Sequence, residues 1–257
     1  MNKITKKILI SIQWRLAKIW RNTPFFIQGQ MDIHPSSPWY NQGIVDATGG
    51  FFPSAGKKQR NILEHEAWDG VRRDMLLLLL RSIEERQVSG DFAELGVYRG
   101  GTARLIHHYA PDRHLHLFDT FSGFDERDAL QDKQVVSHEV DARQFTDTGL
   151  EFVKSQIKTK NTNVHFYQGF FPETFPEELK SKHFAFVHLD ADLYSPIYSG
   201  LEIFYPLLSP GGFIVIHDYN AWVGARHAVD QFCQERGLVG IPMPDKSGSF
   251  VLSKPVK

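Results

Sequence analysis

One cysteine in 257 residues, Cys233, leaves no partner for an intramolecular disulfide, so a packed core rather than cross-links must hold this chain together. Its place in the helix-like stretch Arg226 to Arg236 reads as a structural, buried thiol, and a reducing, cytoplasmic setting is expected. An excess of either charge is also missing. Twenty-nine Lys and Arg against 30 Asp and Glu give a formal net charge of -1, so no nucleic acid partner is expected. No apolar run reaches the roughly 20 residues that a membrane span requires, and the leucine run Leu76 to Leu80 stops between Asp74 and Arg81. Gln13 and Arg15 break the first apolar stretch, which argues against a secretory signal. There is no internal repeat. With 42% hydrophobic and 23% charged residues, the composition is that of a globular protein with one substantial core and an appendage.

The appendage is N-terminal. Lys3, Lys6, Lys7, Arg15, Lys18 and Arg21 all precede the first acid, Asp32, and Ile4, Ile8, Ile12, Leu16 and Ile19 recur at helical spacing. Such a basic amphipathic arm suits peripheral contact with an anionic membrane through residues 1–21, or packing on its own domain or a second copy, and a homo-oligomer is expected. Pro24, Pro35, Pro38 and Pro53 then break any regular element up to residue 60. The expected organisation is an arm and irregular connector over residues 1–60 and a main domain over residues 61–257.

From Glu64 to Val88 the pattern is helical, and Ser89-Gly90-Asp91 ends it and launches the strand Phe92 to Gly96. Further strand-like runs at His114 to Phe118, Asn163 to Tyr167, Phe184 to Leu189 and Phe213 to Ile216 alternate with helical segments. That spacing requires crossovers, so we expect an α/β fold with a mostly parallel sheet and helices on both faces. Ser249 to Leu252 is a candidate antiparallel edge strand. Residues 122–148 are polar and lack a strong period until Val135, which makes this insertion a candidate lid.

Two apolar runs end in acids. Asp190-Ala191-Asp192-Leu193-Tyr194 follows one, and His217-Asp218-Tyr219 follows the other. A single strand-end acid is more often a turn or a helix cap, but two at one sheet edge deliver Asp190, His217 and Asp218 as ligands for a divalent cation. A second site is announced by Glu94-Leu95-Gly96-Val97-Tyr98-Arg99-Gly100-Gly101-Thr102, a strand-to-helix junction where glycines permit a tight turn and close ligand approach. Asp119 lies about 20 residues further on, where a carboxylate holds a ribose diol. The spacing is not Gly-x-Gly-x-x-Gly, and Glu94 would repel a pyrophosphate. It suits a ligand carrying an ammonium and a sulfonium, namely S-adenosyl-L-methionine. The plain alternative for the glycine loop is a simple βα turn.

These residues resemble the macrocin O-methyltransferase, or TylF-like, family over roughly Leu76 to Gly237. The resemblance rests on Gly90 to Gly101, Phe118-Asp119-Thr120-Phe121-Ser122-Gly123-Phe124, Gly169-Phe170-Phe171-Pro172-Glu173-Thr174-Phe175-Pro176, Leu189 to Tyr194, and Tyr205 to Gly212. It implies a class I, Rossmann-like methyltransferase fold, S-adenosyl-L-methionine as donor, and a divalent metal, Mg by family habit, that positions a sugar hydroxyl of a small-molecule or glycan acceptor. Glu94, Gly96, Gly100, Gly101, Asp119, Thr120, Gly169 and Phe170 are the implied cofactor-binding residues. Asp190, His217 and Asp218 fall on the metal ligands, with Asp190 or His217 as catalytic base. His217 departs from the family pattern, which has Asp there, and imidazole moves preference towards manganese, iron or zinc. It is equally suited to act as a hydrogen-bond donor to the ligands. Asp192 is expected to orient its loop, and Tyr194 and Tyr219 to pack around the site. The competing readings are a metal-dependent glycosyltransferase using Asp190-Ala191-Asp192, and a catalytically inactive cofactor-binding protein.

Overall fold

A computed structural model describes residues 69–157 and 163–256, so the readings of an N-terminal arm and connector over residues 1–60 lie outside the described residues. The chain divides into two compact units, Met1–Asp74 and Met75–Lys257. Helix α1 (Gly70–Glu85) precedes an alternation of β1 (Asp91–Leu95), α2 (Gly101–Tyr109), β2 (Leu115–Asp119), α3 (Glu126–Val136), α4 (Leu150–Ile157) and β3 (Val164–Gln168). A 3-10 turn at Glu177–Ser181 leads to β4 (Phe184–Leu189), α5 (Tyr194–Leu207), β5 (Leu208–Ile216), α6 (Val223–Arg236), β6 (Ile241–Pro242) and β7 (Phe250–Ser253).

The strands form one sheet in the order β3-β2-β1-β4-β5-β7-β6. β1 to β5 are parallel, and β7 lies antiparallel to β5, as expected for the tail. Chain direction reverses its spread at β1 and β4, so the carboxyl ends of these neighbours flank the switch point where open α/β sheets bind ligands. The central strand β4 is buried at every position, which is why it reads as an unbroken apolar run apart from His188.

Pleating sorts the side chains. Ala93 and Leu95, Val187 and Leu189, Ile214 and Ile216, and Phe250 and Leu252 alternate onto one face, in a core with Ile197, Leu201 and Phe204 of α5 and Ala225, Val229 and Phe232 of α6. Phe92, Leu117, Phe186 and Val215 occupy the opposite face and are equally buried. Burial at about 25 cal/mol per Å² of apolar surface drives this arrangement. The thiol of Cys233 is partly buried beside the core, and burial, with the charge of Asp230, pushes its pKa up, as befits an unreactive group.

Three elements differ from the sequence pattern. β5 begins at Leu208 rather than Phe213 because the tail extends its ladder: Gly211 N–H donates to Lys254 O at 2.8 Å and Lys254 N–H to Gly212 O at 3.1 Å. β6 emerges in a turn-rich segment through pairing with β7. The polar insertion contains the helix α3, whose Asp125 caps it by accepting from Arg127 N–H at 2.9 Å.

Candidate active site

The ends of β4 and β5 bring the metal-side residues together. His217 Nδ1 lies 2.9 Å from Asp190 Oδ1 and 2.9 Å from Asp218 Oδ2. One ligand atom from each of the three falls within 4.8 Å of the others. Two carboxylate oxygens and an imidazole nitrogen fit a divalent cation. Asp192 and Asp218 hold positive φ values of 60° and 58°, a backbone state that aspartate tolerates better than most residues and that recurs at functional sites.

Their protonation is set by this crowding. Burial, then the charge of Asp190 and a hydrogen bond with Asp218, push the Asp192 carboxyl well above the usual carboxylate range. Burial pushes Asp218 up as well, but the hydrogen bond and charge of His217 prevail and hold it low. Asp192 also shapes its loop: its carbonyl accepts from Ala225 N–H of α6 at 3.1 Å, and Leu193 N–H closes a three-residue turn onto Ala191 O at 2.6 Å. Tyr194 and Tyr219 anchor the site to α6, donating to Gln231 at 2.9 Å and Asp230 at 2.7 Å.

On the donor side, Asp119 at the end of β2 organises the glycine turn. Its Oδ2 accepts from Val97 N–H at 2.6 Å and Tyr98 N–H at 2.9 Å, and its Oδ1 from Phe121 N–H at 2.6 Å. Burial nevertheless raises its pKa against these bonds. Glu94 lies beneath the turn, 1% exposed, with Oε1 2.9 Å from Nδ1 of the fully buried His188. Any influence of Glu94 on a ligand therefore passes through a network, and His188, which sequence reasoning overlooked, belongs to it. An ionisable residue inside an apolar strand was the available signal.

The glycines serve the chain's own packing. A Cβ on Gly96 (φ 84°) would stand 2.1 Å from the Asp190 carbonyl oxygen, so this glycine lets the donor turn touch the metal loop. A Cβ on Gly100 (φ 77°) would meet Val153 of α4 at 3.0 Å, and Gly101 opens α2. Thr120 Oγ1 donates to Gly123 O, and Gly169 N–H to Asp119 O at 3.0 Å. The ring of Phe170 is covered by the Arg127 guanidinium, 3.6 Å from its centroid.

Residues 122–148 lie across this whole edge as a strap. Asp147 accepts from Tyr98 OH at 2.9 Å and pairs with Arg99 at the β1 end, while Arg127 covers Phe170 and pairs with Glu173 at the β3 end. Asp132, 0% exposed, accepts from Tyr194 N–H at 2.6 Å beyond β4. Phe124 and His138 meet Trp222 edge to face beyond β5. None of these strap contacts was visible as a motif, because each joins residues far apart in sequence.

A seven-stranded sheet in this order, with a glycine turn after β1, an acid ending β2 and ligand-bearing ends on β4 and β5, defines a class I S-adenosylmethionine-dependent methyltransferase. The solved structure of the O-methyltransferase NovP shares the fold, with a TM-score of 0.65 at 20% identity over 86% of this chain and 92% of that one. The calicheamicin methyltransferase CalS11 does so with a TM-score of 0.56 at 22% identity, over 86% and 94%. The chain belongs to the Macrocin-O-methyltransferase (TylF) family, whose model matches residues 68–249. It is similar to the 8-demethyl-8-(2,3-dimethoxy-alpha-L-rhamnosyl)-tetracenomycin-C 4'-O-methyltransferase of Streptomyces olivaceus, at 33% identity over 96% of this chain and 90% of that protein. The mycinamicin III 3''-O-methyltransferase of Micromonospora griseorubida is 32% identical over 59% of this chain and 63% of its own length. The protein is an O-methyltransferase. Among the described residues, no helix is long and apolar enough to cross a membrane.

Proposed function

We propose that this enzyme transfers the methyl group of S-adenosylmethionine to a sugar hydroxyl of a glycoside, glycan or secondary metabolite, with a divalent cation held by Asp190, His217 and Asp218. The observation that carries the reading is the convergence of those three side chains within 4.8 Å on strand ends whose backbone abuts the donor turn at Gly96. The names of the relatives support the acceptor class, since that of the Streptomyces olivaceus enzyme specifies a rhamnosyl group. Residues 61–257 would constitute the catalytic domain.

When bound, S-adenosylmethionine supplies an electrophilic methyl carbon and the cation supplies Lewis acidity that makes a weakly acidic hydroxyl a better nucleophile. The chain's own residues do the rest. Asp119 fixes the turn through Val97 and Tyr98, so that the donor side is preorganised at the β1 end. Asp192, hydrogen-bonded to Asp218, keeps that carboxylate turned towards His217. Asp190 or His217, 2.9 Å apart, takes up the acceptor proton, through an atom other than the one that would hold the cation. The strap lies over the carboxyl edge through its contacts at Tyr98, Phe170, Tyr194 and Trp222.

The test is methyl transfer from labelled cofactor to a panel of rhamnosides, with chelator and after addition of Mg, Mn or Zn. Chelation and Asp218→Ala should each lower the rate at least about 100-fold, while S-adenosylhomocysteine still binds. Undiminished activity under chelation removes the metal from the mechanism, and failure of every sugar acceptor removes the sugar.

A further inference from the structure

Helix α3 of the strap is inverted: Asp128 and Asp132 are buried, at 7% and 0% exposure, while Leu130 and Val135 face solvent at 57% and 40%. A helix set that way gives up apolar burial and desolvates two acids, so polar contacts must hold its inward face. Asp132 makes them where two other helices begin. Its Oδ1 accepts at 2.6 Å from the N–H of Tyr194, the first residue of α5. A Cβ on Gly224, the second residue of α6, would collide with both Asp132 oxygens and stand 2.6 Å from the Tyr194 nitrogen. The first turns of α5 and α6 therefore meet at this one side chain. His138 Nδ1 lies 3.4 Å from its Oδ2.

Neither helix supplies this acceptor itself. Their N-cap residues are Leu193 and Trp222, neither side chain forms a cap hydrogen bond, and neither first turn holds an acid. An acidic side chain at the positive ends of both is the missing cap, delivered by the strap. Helix α5 follows the loop that carries Asp190, and α6 follows the loop that carries His217 and Asp218. The two are joined a second time where Ala225 N–H donates to Asp192 O at 3.1 Å. Resting on the cation reading above, we propose that Asp132 is a positioning residue for the metal side of the site. By fastening the first turns of α5 and α6 together, it keeps Asp190 at the spacing from His217 and Asp218 that a divalent cation requires.

Asp132→Asn keeps the shape and one acceptor oxygen without the charge, and Asp132→Ala removes both. Mn(II) binding to the full chain with S-adenosylhomocysteine is read from the electron paramagnetic resonance signal of the free ion, and S-adenosylhomocysteine affinity from calorimetry. Asp132→Ala should raise the Mn(II) dissociation constant about tenfold or more while cofactor affinity stays at the wild-type value. Asp132→Asn should stand between, at about threefold. A merely structural role would lower the number of sites and leave their dissociation constant in place. An unchanged Mn(II) dissociation constant in Asp132→Ala, or an equal fall in cofactor affinity, overturns the proposal. If that variant does not fold, a wild-type Mn(II) dissociation constant in Asp132→Asn overturns it. If wild type binds no Mn(II), the cation reading fails, and hydrogen exchange at the Ala225 amide tests the positioning by itself. Either variant should then speed that exchange about tenfold relative to Val97 on the donor turn, and an unchanged ratio overturns the proposal.

Discussion

Replacing Asp128 by Asn should stabilise the protein at pH 8 and do little at pH 4.5. Asp128 lies on α3 of the strap and is 7% exposed, hydrogen-bonded to Ser195 on the first turn of α5. Burial is the main cause that pushes its carboxyl up to about 7; the Ser195 bond opposes the shift, Asp125 adds to it, Arg127 opposes it and Asp132 adds to it. A carboxyl raised in the folded state binds a proton that the unfolded chain has released. Its favourable contribution is complete below the unfolded value of 3.8 and is lost as pH rises through about 7. Each tenfold change in proton affinity is worth about 1.4 kcal/mol, so the ceiling is about 4 kcal/mol. Water entering beside Ser195 lowers it, and about 1 to 3 kcal/mol is expected at pH 8. For a unit of this size that is roughly 3 to 9 °C in Tm. Thermal melts of wild type and variant at pH 4.5, 6 and 8 measure it. A Tm difference that is the same at all three values refutes the reasoning, because Asn and Asp would then differ only in packing.

Gly96→Ala should cost about 1 to 3 kcal/mol through overpacking against the Asp190 carbonyl, and should also slow methyl transfer because the donor turn and metal loop are forced apart; normal activity and stability would show that the contact yields freely. Asp119→Asn keeps the shape but offers one acceptor oxygen to three backbone N–H groups, so S-adenosylhomocysteine affinity, read by calorimetry, should fall about tenfold or more. Unchanged affinity would mean that the turn is held by its glycines alone. The Asp218→Ala variant separates the halves of the site: transfer should be lost while cofactor binding survives, and loss of both would show that Asp218 is needed for the fold.

Much of the fold was legible because each strand's surroundings are written into its composition. Phe184 to Leu189 is apolar on both pleat faces because helices cover both, and the acids that follow mark where the chain leaves the core for the sheet edge. Glycines at Gly96 and Gly100 announced a turn through backbone states that other residues resist. Both glycines also have a packing reason that no local pattern carries. Gly96 makes room for Asp190 and Gly100 for Val153, contacts that depend on which strands and helices become neighbours.

By itself, the sequence determined an α/β sheet, the two acid-bearing strand ends, the glycine turn and the resemblance that ties them to methyl transfer, because local periodicity and residue chemistry carry all of these. Tertiary structure alone decided the rest. Strand order places His188 against Glu94, and a polar stretch with little period becomes a strap because Asp132, acidic in any hydropathy reading, is buried on the backbone of Tyr194. Packing likewise brings Tyr98, Phe124, Phe145 and Trp222 edge to face from four loops. Pairings across such distances in sequence are set by packing and register, for which no local pattern exists.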